Sequence, residues 1–254
     1  MNNATLQNRV PEDLMRRIAD CVNTALTDDI QRYLMENHPE TTNAIPYLIG
    51  DFINTNIKTR IVGGDVEQIS FKRYSWNGRI LVDRANRVTY TIMRRKRLAQ
   101  LRTDKRDKPH YLQSVVAVLN EEFVAPQSQM SLFDYDPQPK FDDETLQKDF
   151  ATIVDESISR TNGYIHCVIS YETDRGELTD INVLLLDGNL NEVERIPMHE
   201  YIKPDYSKLT NTYATPEADE QCENAASDSL VSVRRNAVET DETPVELHEE
   251  RKQA

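Results

Sequence analysis

The chain has 254 residues, with 43 Asp and Glu against 30 Lys and Arg and a formal net charge of −13. A hydrophobic share of 38% is low for a compact domain, which argues for one medium-sized core with polar segments attached and against a packed two-domain enzyme. No run approaches the roughly 20 apolar residues of a membrane helix.

The N-terminal MNNATLQNRVPEDL lacks a charged region followed by an apolar stretch, so no secretory signal is expected. Residues 1–10 read as a flexible start. A helix is predicted from about Pro11 to Glu36. Pro11 suits a first turn, Glu12 and Asp13 favour the positive end of the dipole, and Leu14, Ile18, Val22, Ala25 and Leu26 form a one-sided apolar stripe. His38-Pro39 should stop it. A second helix is predicted over Ile45 to Thr59, with Leu48, Ile49, Phe52 and Ile53 inward. After the Gly63-Gly64-Asp65 turn the period changes to two. Glu67–Lys72, Arg79–Val82 and Val88–Met93 read as a three-stranded antiparallel meander, with Asn77-Gly78 as its first tight turn. Arg94–Arg102 has helical composition, and Tyr111–Asn120 is read as a helix despite its β-branched residues.

Residues 125–141 form a proline- and glutamine-rich connector expected to be flexible. A helix resumes at Asp142 or Asp143, carrying Leu146, Phe150, Ile153, Val154 and Ile158, with Gly163 beyond its end. Tyr164–Tyr171, Leu178–Leu186 and Val193–Ile196 then read as a second meander. The expected fold class is α+β: N-terminal helices, two short antiparallel meanders separated by helices, and a single domain over residues 11–204. From 205 to 254 the chain turns acidic and poor in aromatics, with eleven acids against five bases from Tyr206 onward, and a disordered tail is expected.

Charge is concentrated. Lys72 to Lys108 holds thirteen basic and three acidic residues, a local +10 that leaves −23 for the rest. Arg94, Arg95, Lys96, Arg97, Arg102, Lys105 and Arg106 can neutralise phosphates, and Trp76, with Tyr74 and Tyr90 in the same meander, offers rings on which unpaired bases stack. DNA or RNA contact through residues 72–108 is therefore expected, although arginines can also pair with the protein's own carboxylates.

Catalytic signals are fragmentary. The three cysteines, Cys21, Cys167 and Cys222, are too scattered for a disulfide framework or zinc knuckle. His166 and Cys167 adjoin on a predicted strand and point to opposite faces, Cys167 reading as a buried structural thiol and His199 as a surface residue. Gly63-Gly64 lacks the spacing of a phosphate loop. The alternative enzymatic reading is a metal-dependent nuclease in which Asp65, Glu67 or Asp83 hold a divalent ion. A toxin–antitoxin or defence-system component with a tail-bound partner is a further alternative. No catalytic residue, metal-ligand set, cofactor or membrane association is assigned, and a cytoplasmic setting is expected.

Two resemblances add to this. Gln129-Met130-Ser131-Leu132-Phe133 resembles the short peptide with which bacterial replication and repair proteins bind the processivity sliding clamp, matching every defined position. The resemblance implies that Leu132 and Phe133 fill an apolar cleft of the clamp and that Gln129 hydrogen-bonds at a polar subsite, with Ser131 also among the clamp-binding residues. Arg79-Ile80-Leu81-Val82-Asp83, the run Tyr90 to Leu98 and His110-Tyr111-Leu112 resemble a bacterial or phage family of unknown function over about residues 45–200, with Val88–Met93 departing in detail. That resemblance implies no activity. Together the expectation is a non-enzymatic accessory protein that docks on the clamp and turns a basic surface to nucleic acid.

Overall fold

A computed structural model describes residues 6–73, 75–103, 107–125 and 141–202. The fold is α+β, with six strands in one sheet and helices on both of its faces. The expected disordered tail and most of the connector, including Gln129–Phe133, lie outside the described residues.

The N-terminal region is α1 (Glu12–Thr24), a π-helical turn (Ala25–Asp29) and α2 (Ile30–Asn37), where the periodicity suggested one uninterrupted helix. The wider turn brings the Asp29 carboxylate, 7% exposed, to the amide nitrogen of Asn56 at 2.8 Å, while Arg32 pairs with its other oxygen. A buried charge needs such partners. His38, at φ 42, ends α2 ahead of Pro39. Helix α3 (Ile45–Arg60) has Pro46 in its first turn, where no hydrogen bond is lost.

The strands are β1 (Val66–Arg73), β2 (Trp76–Asp83), β3 (Val88–Arg94), β4 (Ile165–Asp174), β5 (Glu177–Leu186) and β6 (Glu192–Pro197), lying in sequence order across the sheet. The two predicted meanders are the two halves of this one sheet. They join through β3 and β4, which run parallel from Val88↔Ile165 to Arg94↔Tyr171, while every other pair is antiparallel. A parallel pair needs a long crossover, and α4 (Arg95–Thr103), α5 (Tyr111–Leu119) and α6 (Asp143–Ala151) lie in that stretch. The last of these is shorter than predicted. Ile153, Val154 and Ile158 are buried, but in turns beyond its end.

Two details correct the sequence reading of β2. Asn77 and Gly78 are not a turn but strand residues paired with Lys72 and Phe71, and the hairpin closes between Arg73 and Trp76. A Cβ on Gly78 would lie 2.1 Å from the Phe71 ring, so the glycine is there to receive that ring.

The sheet separates two apolar layers. On one face Leu81, Val88, Tyr90, Ile169, Ile181 and Val183 meet α1, the π turn and α3. On the other, Phe71, Ile80, Val82, Val168 and Leu184 meet α4, α5 and α6. Strands β4 and β5 are buried on both faces, which is why Ile181–Leu186 reads as a nearly unbroken apolar run. Asn120, fully buried after α5, ties the second layer together. Its amide donates to the carbonyls of His166 and Leu186, both at 2.8 Å, and its oxygen accepts from His166 N at 2.8 Å. Breaking it would orphan three buried backbone groups.

His166 is wholly buried, with Nδ1 2.8 Å from the Thr89 hydroxyl and no hydrogen-bond partner at Nε2. Desolvation lowers its pKa to about 3, so it stays neutral in the fold. Only the unfolded chain takes up the proton between the ordinary histidine value near 6.5 and that lowered value, so stability falls as the pH drops below about 6.5. Chemical denaturation at pH 7 and pH 5 should show a loss of about 2 kcal/mol in the wild type. His166→Gln should remove that dependence, whatever its effect at pH 7.

Candidate nucleic-acid interface

The β2–β3 pairing is short. Eight residue pairs join β1 to β2, but only Leu81↔Tyr90, Val82↔Thr89 and Asp83↔Val88 join β2 to β3. Beyond Leu81 the two strands part, and a cleft of about 1030 Å³ opens between them at the carboxyl end of the parallel pair. Such crevices at strand ends, where topology changes, are the usual ligand sites of open sheets with parallel strands.

Both faces of the sheet supply its walls. Pro46 and Tyr47 come from the start of α3, and Ile92, Met93 and Arg94 from β3. Arg97 comes from α4, Asp107 to Tyr111 from the approach to α5, Arg73 and Trp76 from the hairpin, and Tyr171 from β4. Four cations therefore face one carboxylate, Asp107, among the described lining residues. Arg73 is anchored, donating to Asp149 at 2.7 Å and to the Pro109 carbonyl at 3.0 Å. Asp149 is also bonded by the Ser114 hydroxyl at 2.5 Å. Arg94 donates to the Thr173 hydroxyl at 2.6 Å and has no carboxylate partner among the described residues.

Aromatic rings form one wall. Phe71, seated on Gly78, contacts Trp76 edge to face at 5.7 Å and Tyr111 at 5.1 Å, and Trp76 stacks on Tyr111 at 5.3 Å and 30°. His110 lies 4.4 Å from Tyr111 and also begins α5, its Nδ1 accepting from Leu112 N while Gln113 accepts from its own N–H. Tyr111 is buried while Trp76 keeps 49% of its surface exposed, so the indole packs on one side and faces solvent on the other. Burial raises the pKa of the Tyr111 hydroxyl and pushes that of Tyr171 to about 12, with Arg94 opposing the latter shift. Both remain protonated hydrogen-bond donors at neutral pH.

Helix α4 begins Arg95-Lys96-Arg97, with no acid in its first turn. Cations at a helix N-terminus oppose the dipole, each by about 0.3–1 kcal/mol, whereas the same arrangement favours a bound anion. Departures of this kind from local rules are expected at functional or strained positions.

The predicted phosphate-binding residues divide. Arg94, Arg97 and Trp76 come together on the cleft. Arg95 turns instead to Glu172 at 3.2 Å and Asp180 at 3.5 Å, so part of the stretch does pair with the protein's own carboxylates. Lys96 and Arg102 are exposed on α4 outside the lining, and Lys105, Arg106 and Tyr74 lie outside the described residues. Tyr90 is core. Tyr47, Tyr171 and Arg73 were not singled out, because only the fold brings them to this place.

The acids proposed for a metal do not converge. Asp83, 2% exposed, accepts from the Asn86 N–H at 3.0 Å and its side-chain amide at 2.7 Å, which makes it the staple of the β2–β3 turn. Glu67 pairs with Arg84, which also reaches Asp155 at 3.6 Å. Among the described residues no group of three or more His, Cys, Asp or Glu is placed to hold a metal ion. Cys167 is buried, and burial raises its thiol pKa, while His199 is exposed on a short 3-10 turn.

The aromatic wall stands on one glycine, so Gly78→Ala should unseat Phe71, costing about 1–3 kcal/mol. Trp76 is the single tryptophan of the chain, and its emission should shift to the red in the variant. An unchanged spectrum and melting temperature would mean that the Phe71 ring is not held by Gly78.

Comparison with curated proteins and with solved structures gave no match. The sequence profile of a family of unknown function, DUF5986, matches residues 7–247, nearly the whole chain, and the protein belongs to that family.

Proposed function

We propose that this protein binds single-stranded nucleic acid in the cleft between β2 and β3. The observation that carries the reading is the clustering of Arg94 and Arg97, at and beyond the strand end that leads into a helix start of reversed polarity, beside a half-exposed Trp76. Phosphates take the cations and a base takes the free indole face. Duplex DNA gains nothing from a stacking platform, because its bases are already stacked. The geometry supports binding, and of the acids of the nuclease alternative Asp83 is engaged as a turn staple and Glu67 in an ion pair.

Fluorescence anisotropy with a labelled single strand of about a dozen nucleotides tests this. Affinity should fall steeply with salt. Arg94→Ala/Arg97→Ala should weaken binding about tenfold or more and flatten the salt slope by about 1–2. Trp76→Ala should weaken it by about 1–3 kcal/mol. Absence of binding by the wild type at about 50 mM salt would end the reading.

The complete match of Gln129, Ser131, Leu132 and Phe133 to the sliding-clamp pattern supports a second contact. In this reading the protein is a cytoplasmic accessory factor of bacterial or phage origin, and two weak contacts reinforce each other through effective concentration. Calorimetry against a bacterial sliding clamp should give micromolar binding that Leu132→Ala/Phe133→Ala abolishes with no change in melting temperature. A large loss of stability in that variant would instead assign both side chains to the protein's own packing.

A further inference from the structure

Beside the cleft lies a smaller chamber of about 50 Å³, lined by Asn54, Gln68, Arg79, Leu81, Tyr90 and Ile92 among others. Trp76, Ile92 and Tyr111 line both spaces, so the chamber opens off the cleft where the strands part. Its size equals room for about four waters, too little for a nucleotide and enough for the edge of one base.

The polar groups around it have unspent hydrogen-bonding capacity. The Arg79 guanidinium makes a single bond, to the carbonyl of its neighbour Gly78 at 2.8 Å, and has no carboxylate partner among the described residues. Gln68 donates weakly to the Asn54 carbonyl at 3.5 Å, which leaves its side-chain oxygen as an acceptor. The Asn54 side chain has no described partner. All three are half-buried, Gln68 and Arg79 on the sheet face that α3 covers and Asn54 on α3 itself, so a ligand or water can reach their open donors and acceptors.

Resting on the single-strand reading above, we infer that this chamber selects the base: it takes the edge of a guanine or cytosine in preference to adenine, thymine or uracil. The chemistry is the order of donors and acceptors. A guanidinium fork needs two adjacent acceptors, which guanine offers as O6 and N7 and cytosine as O2 and N3. Each of these bases also carries a neighbouring N–H, at N1 or N4, for the Gln68 oxygen. Adenine, thymine and uracil place a donor between their acceptors and cannot satisfy both Arg79 and Gln68. The base enters past Trp76 while its phosphates remain on Arg94 and Arg97.

The test uses the full chain and labelled oligothymidine or oligouridine strands with one central guanine, cytosine or adenine. The guanine or cytosine strand should bind about tenfold more tightly than the adenine strand. Arg79→Ala and, separately, Gln68→Leu should erase that difference while leaving binding of the plain oligothymidine strand unchanged. The deoxy and ribo series show whether the 2′-hydroxyl contributes. Equal binding of all strands, or a preference that survives in both variants, would overturn the inference and leave the single-strand reading intact. Failure of every strand to bind would overturn both.

Discussion

The fold depends on seven residue pairs between two parallel strands. Each half of the sheet is an ordinary antiparallel meander, and β3 against β4 turns them into one six-stranded surface. Parallel pairing cannot be closed by a tight turn, so the intervening chain crosses over and covers one face with α4, α5 and α6. The N-terminal helices, which precede every strand, cover the other. Two apolar layers follow from that single pairing, and Asn120 and His166 are among the polar residues buried within it.

The same pairing accounts for the position of the cleft. β3 is fully used on its β4 side, through Arg94, but on its β2 side the ladder stops at Tyr90. Its last residues therefore carry side chains to both faces at an opening in the sheet. The rings on Gly78 line one flank, and the basic start of α4 continues directly from the other. Cations from three elements and rings from four meet there, though no one segment of the chain contains the set.

The sequence was informative where the physics is local. Alternation in Glu67–Lys72, the apolar run in β5, the stripe on α1 and the composition of α4 each identified their element. Asn77-Gly78 misled because the pair favours a tight turn as an isolated dipeptide, whereas here the glycine serves a cross-strand ring that sequence spacing cannot reveal. The parallel join was not legible at all, because it pairs Val88 with Ile165 across a long crossover. The site shows the same division. Arg94, Arg97 and Trp76 stood out by residue type, but Arg79, Tyr47 and Tyr171 acquire meaning only from their neighbours. Arg95 shows the converse, a cation selected by its type that the fold assigns to Glu172 and Asp180.

Past Leu81 the β1–β2 hairpin is held to the sheet on no side by backbone hydrogen bonds of β3, and a free two-stranded ribbon twists more readily than a full sheet. Its far end is held instead by side chains, Arg73 on Asp149 and the Pro109 carbonyl and Trp76 on Tyr111. The packing of Phe71 on Tyr111 adds a third tether on the same helix start. The width of the opening is therefore set by side-chain contacts to α5 and α6 and not by the backbone ladder of the sheet.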